Sequence, residues 1–66
     1  MTDVERTAQE VLTIVKAASE PVSPATVISQ LSRRGYPEGR VREVTRDLLD
    51  DRRLRFTDDR RLYARS

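Results

Sequence analysis

Few side chains in this 66-residue sequence could do covalent chemistry. Ser19, Ser23, Ser29 and Ser32 are possible nucleophiles, but a serine hydroxyl needs a general base beside it. Histidine and cysteine are both absent, which leaves Lys16 as the candidate base. The same absence removes disulfides, thiolate chemistry, the commonest metal ligands and the side chain best suited to proton transfer near neutral pH. Asp50-Asp51 and Asp58-Asp59 are carboxylate pairs with no further ligands beside them, a thin donor set for a hard cation. The expectation is a non-catalytic chain with no metal site and no cofactor.

What remains is charge, and it is mostly arginine. Twelve of the thirteen basic residues are arginine, and eleven of those lie in residues 33–66. Residues 1–32 carry only Arg6 and Lys16 against Asp3, Glu5, Glu10 and Glu20, so the chain is polarised although its net charge is only +2. The planar guanidinium fork matches phosphate and the edges of bases better than an ammonium does. Tyr36, Phe56 and Tyr63 are the aromatic residues. Single-strand binders combine several exposed rings on a basic groove, so packing in a core or helix cap is the expectation for these three.

The length allows one domain, residues 1–66, and a domain this small buries only about 60% of the surface its unfolded chain exposes. Apolar and charged residues each make up 36% of the chain, a folded composition with a heavily charged surface. No apolar run approaches the length of a spanning helix, and Met-Thr-Asp-Val-Glu lacks the basic start and apolar stretch of a secretory signal. The cytoplasm is the expected compartment, with no membrane partner.

The elements that must position the arginines follow from periodicity. Thr2-Asp3-Val4-Glu5 fits a capping box, and Val4, Ala8, Val11, Val15 and Ala18 continue as an apolar stripe, which predicts a helix over residues 3–19. Pro21 stops it. Ser23-Pro24 then gives a cap and a first-turn proline for a second helix over about 24–34, with Val27, Ile28 and Leu31 on its inner face. Gly35 stands where a left-handed terminating residue is wanted, and Tyr36 can fold back onto that cap. Pro37 opens a third helix, 38–51, on which Val41, Val44, Leu48 and Leu49 recur.

From Arg53 to Arg65 the period shortens. Leu54 and Phe56 alternate with Arg53, Arg55 and Thr57, Asp58-Asp59 gives a turn, and Leu62, Tyr63 and Ala64 follow, which predicts a β-hairpin over 53–65. A two-residue loop would set Leu54 opposite Tyr63, whereas a three-residue loop would set Phe56 opposite Leu62 and Leu54 opposite Ala64. Neither loop has its preferred glycine. The fold class expected is α+β, three helices followed by a C-terminal hairpin.

That order, with Val22 as a one-residue third strand between the first two helices, resembles the winged helix-turn-helix superfamily. Leu31, Gly35, Val41, Val44, Leu48, Leu49 and Leu54 match its second helix, turn, recognition helix and first wing strand. The sequence departs from the pattern at Arg53, where many winged helices have glycine between recognition helix and wing. The resemblance implies a bacterial-type module of transcriptional regulation that lays helix 38–51 in the major groove of double-stranded DNA, while the wing touches the backbone or minor groove.

With Val41 as the buried reference at about 100° per residue, Val44 and Leu48 fall near it, and Gly39, Glu43, Arg46 and Asp50 point away. Arg42 flanks the outward face on one side, Arg40 and Asp47 on the other. Arg40, Arg42, Thr45 and Arg46 are therefore the expected base and phosphate contacts, with Arg60 and Arg61 of the wing clamping the backbone. Asp58 and Asp59 at the tip argue against insertion into the minor groove. Glu43 repels phosphate and helps only by accepting from a cytosine amino group.

The bland alternative makes Glu38 with Arg42, Glu43 with Arg46, and Arg46 with Asp50 ordinary intrahelical pairs, and makes the wing arginines solvated charges guarding strand edges. Winged helices also serve as protein-interaction modules without nucleic acid, and the mixed charge of helix 38–51 suits a protein partner. Recognition of duplex RNA by shape fits the fold but has no residue signature here. Sequence-specific DNA binding commonly pairs two half-sites, so a homodimer or a larger assembly is expected if DNA is the ligand, with helix one and Ile14 as the dimer surface.

Overall fold

The computed structural model describes residues 2–64. It has three helices, α1 (Asp3–Ala17), α2 (Pro24–Arg33) and α3 (Glu38–Asp50), followed by an antiparallel hairpin of β1 (Arg55–Phe56) and β2 (Leu62–Tyr63). This is the expected α+β arrangement, and its layout is compatible with a winged helix. Among the described residues, no helix is long and apolar enough to cross a membrane.

α1 and α2 begin where their capping chemistry places them. The Thr2 hydroxyl accepts from the Glu5 amide at 3.1 Å, and Ser23 accepts from the Thr26 amide at 3.2 Å ahead of Pro24. The ends are shorter than the periodicity predicts. α1 stops at Ala17 because Ala18 is already extended (φ −74, ψ 136), two residues before the expected end at 19. The early exit lets Val22 reach the hairpin, where its amide donates to the Leu62 carbonyl at 3.0 Å and the Leu62 amide donates back at 2.6 Å. The one-residue third strand therefore exists as a bridge between Val22 and Leu62.

α2 ends in a Schellman motif. The Tyr36 amide donates to the Leu31 carbonyl and the Gly35 amide to that of Ser32, with Gly35 at φ 93. Tyr36 packs against the core, and Arg34 lies 5.9 Å from its ring centroid. Arg34 also reaches Glu10 at 2.7 Å and ties the end of α2 to α1. The end of α3 repeats the motif without glycine. Arg53 donates to Leu48 and Arg52 to Leu49, and the left-handed residue is Arg52 at φ 64. The position expected at Arg53 thus falls one residue earlier.

The hairpin takes the three-residue register. Phe56 pairs with Leu62 and Arg55 with Tyr63, and the Thr57 amide donates to the Arg61 carbonyl at 2.8 Å, leaving Asp58-Asp59-Arg60 as the loop. Arg60, at φ 62, occupies the left-handed position where such loops prefer glycine. The strands are shorter than the expected span of 53–65, and Arg65 lies outside the described residues.

The core is aliphatic: Val11, Leu12, Val15, Val27, Leu31, Val41, Val44, Leu48, Leu54 and Leu62. Two apolar expectations fail. Val4 is 53% exposed, and Thr7, nearly one turn further on, is buried instead, its hydroxyl donating to the Asp3 carbonyl. Of the three aromatics only Tyr36 packs as expected, since Phe56 is 48% and Tyr63 37% exposed. Phe56 pairs with the buried Leu62, yet it is left bordering an open groove beside α2 and α3.

Candidate nucleic-acid interface

α3 presents its arginines on two separate surfaces. Val41, Val44, Thr45 and Leu48 form its buried stripe, and Arg42 and Arg46 leave it one turn apart on the flank facing the start of α2 and strand β1. There they border an open groove of about 640 Å³, lined by Pro24, Ala25 and Ile28 of α2, Leu49 and Asp50 of α3, and Phe56 of β1. Arg40 leaves from the other flank. It is half-buried in a shallow depression with Asp3, Arg6, Arg34 and Tyr36, so the structure does not bring it together with Arg42 and Arg46.

The structure places Thr45 in the buried stripe of α3. It is only 7% exposed, and its hydroxyl donates to the Val41 carbonyl at 2.7 Å. A hydroxyl committed to the preceding turn has little left to offer a base. The position was readable, because Thr45 stands four residues after Val41 and so shares its face.

The cations of the groove are lightly engaged. Of the three intrahelical pairs expected on α3, only Glu38 with Arg42 forms, at 3.9 Å and largely in solvent. Such a pair contributes a few tenths of a kcal/mol at most. Among the described residues Arg46 has no carboxylate within ion-pair distance. Glu43 is exposed on the outward face between the two flanks. α3 starts at Pro37 without a side-chain cap, so its first amides are not taken up by a neighbouring hydroxyl or carboxylate.

The wing tip is more self-contained. The Thr57 hydroxyl donates to Asp59 and accepts from the Arg61 amide, and the Arg61 guanidinium lies 3.2 Å from the Asp59 carboxylate. The Thr57 hydrogen bond, aided by the Arg61 charge, holds the Asp59 carboxyl below the usual carboxylate range. Arg61 is therefore largely turned toward its own loop, whereas Arg60 is exposed and outside any ion pair among the described residues. Arg53 turns the other way and lines a small hollow with Glu5, Ala8, Gln9 and Leu12 of α1.

No protein-family model matches the chain, and no curated protein or solved structure matches it either.

Sequence reasoning missed the apolar side of the groove. Its signal was three rows whose members stand one helical turn apart: Pro24 and Ile28 on α2, and Arg42 with Arg46 beside Thr45 with Leu49 on α3. Apart from the buried Thr45, these residues lie next to their helix's core stripe rather than on it, and only knowledge of how the helices cross shows that the rows face each other. Among the described residues, no group of three or more acidic side chains is placed to hold a metal ion.

Proposed function

We propose that this chain is a winged helix-turn-helix module that binds double-stranded DNA through α3 and its wing, acting in transcriptional regulation. The observation that carries the reading is the pair Arg42 and Arg46: exposed, one turn apart, on the same flank of the third helix, and without a firm partner of their own. Two guanidinium groups so placed suit phosphates or guanine edges. The uncapped start of α3 adds backbone donors and the positive end of a helix dipole. Arg60 reaches the backbone from the wing, Arg61 contributes less because Asp59 holds it, and Arg40 serves only a phosphate on the far side of α3.

The reading is tested by titrating the chain against a labelled mixed-sequence duplex at several salt concentrations, with Arg42→Glu/Arg46→Glu alongside. Wild type is expected to bind with micromolar or better affinity and to lose it as salt rises, with a log–log slope that grows by about 0.9 per phosphate contacted. The double variant is expected to lose binding at every salt concentration. Wild type that ignores the duplex at low salt, or a double variant that binds as well as wild type, overturns it.

A further inference from the structure

The groove beside Arg42 and Arg46 contains more apolar surface than a phosphate backbone can use. Its floor is Pro24, Ile28, Leu49 and Phe56, and Phe56 is the most exposed aromatic side chain of the described residues. A phosphodiester gains from the two guanidinium groups but leaves those side chains in water. The volume, about 640 Å³, lies in the range of sites that enclose a ligand or the anchoring side chains of a peptide. Its borders are polar and mostly positive: Arg42 and Arg46 on one side, Asp50 the lone acid, and the first turn of α2, which carries no acidic residue, on the other. An apolar floor inside a charged border is the anatomy of a protein-docking site.

We infer that the groove between α2, α3 and β1 docks a short acidic segment of another protein, one that inserts a large apolar side chain against Phe56 and sets carboxylates on Arg42 and Arg46. Charge complementarity chooses the occupant. Carboxylates find two lightly engaged guanidinium groups and the positive end of the α2 dipole, while a basic segment meets only Asp50. The chain's own exposed acidic stretch with an apolar centre, Asp3-Val4-Glu5, offers a valine too small to fill such a groove, which points away from a second copy. The inference goes beyond duplex binding and stands without it. Where both hold, the segment and the duplex compete for the same two arginines, and the docked protein regulates DNA binding by exclusion.

The test selects phage-displayed random peptides of about twelve residues, a length that covers a groove of this kind, on the wild-type chain after depletion on Phe56→Ser. Phe56 is half in solvent, so the variant is expected to keep its fold, checked by circular dichroism. Ala25→Glu is a second variant that adds a repelling carboxylate at a helix N-terminus, where acid is tolerated well. Enriched peptides are expected to combine a large aliphatic or aromatic residue with two or more acids. Their affinity should fall at least about tenfold in Phe56→Ser, in Ala25→Glu and in Arg42→Glu/Arg46→Glu, while Phe56→Ser keeps its duplex affinity.

Failure to enrich any peptide over the depletion, or enrichment of peptides without acids, overturns the inference. So does a concentration-dependent dimer that Phe56→Ser abolishes, which makes the occupant a second copy. A tenfold loss of duplex affinity in Phe56→Ser also overturns it, because the apolar floor then belongs to the nucleic-acid surface. Because Phe56→Ser is expected to separate peptide from duplex, the failure of either proposal is seen without the other.

Discussion

Gly35 and Arg52 occupy the same place at the ends of α2 and α3, the left-handed residue of a Schellman motif, at φ 93 and φ 64. An L-residue in that region costs roughly 1–2 kcal/mol relative to a right-handed one, while glycine gives up about 0.5–1 kcal/mol of chain entropy on folding. Opposite substitutions therefore have opposite signs. A Cβ added at Gly35 meets nothing within 4 Å, so Gly35→Ala is a purely backbone change and is expected to lower stability by about 1 kcal/mol. Arg52→Gly is expected to raise it by a few tenths to about 1 kcal/mol, a gain of up to about 4–8 °C in melting temperature for a domain of this size. Thermal melts of the two variants beside wild type check this, and an Arg52→Gly protein less stable than wild type would show that the arginine side chain makes a contact outweighing its backbone cost. At the same scale the candidate contacts were only partly readable. The helical wheel already puts Arg42 and Arg46 toward one flank, Arg40 on the other and Thr45 beside the buried Val41, whereas the α2 and β1 side chains that face the arginines depend on how the elements pack.

The elements themselves were legible because their signals are local. Thr2, Ser23, Pro24, Gly35 and Pro37 mark helix ends within one or two residues, since caps and proline act on the backbone beside them, whereas Pro21 stands four residues past the end of α1. The hairpin was less so. Its register depends on whether a loop without glycine can place Arg60 in a left-handed conformation, and only hydrogen bonds to Thr57 on both sides of the loop settle that. A two-stranded hairpin is marginal alone in water, so the wing is held by the reciprocal Val22–Leu62 bonds and by the burial of Leu54 and Leu62. Hydrogen exchange followed by NMR is expected to show the Val22 and Leu62 amides protected as strongly as the helical core. The Arg60 amide, in an exposed loop, is expected to exchange much faster. A Leu62 amide exchanging at the rate of Arg60 would mean that the wing undocks as a unit.

The whole molecule combines a small aliphatic core with a surface dominated by arginine in its second half. Ten buried Val and Leu side chains make up that core, no aromatic residue is fully buried, and neither a disulfide nor a metal cluster supplements it among the described residues. Domains below about 70–80 residues rarely draw more than about 3–5 kcal/mol from a single core. Leu31 is wholly buried on α2, and its carbonyl also accepts the Tyr36 amide that closes the turn into α3. Leu31→Ala removes an isopropyl group from a wholly buried site and leaves a cavity, and Leu→Ala changes at such sites cost about 2–5 kcal/mol. That loss is comparable to the whole stability of the domain. Leu31→Ala is expected to shift the urea midpoint sharply downward and to leave a substantial unfolded fraction at 25 °C without denaturant, whereas Ile28→Ala, on the partly exposed edge of the same helix, is expected to cost about 1 kcal/mol. Equal losses in the two variants would place the stabilising contacts of α2 along the groove rather than in the core. The groove's apolar side chains would then be structural first, and available to a partner only at the expense of the fold.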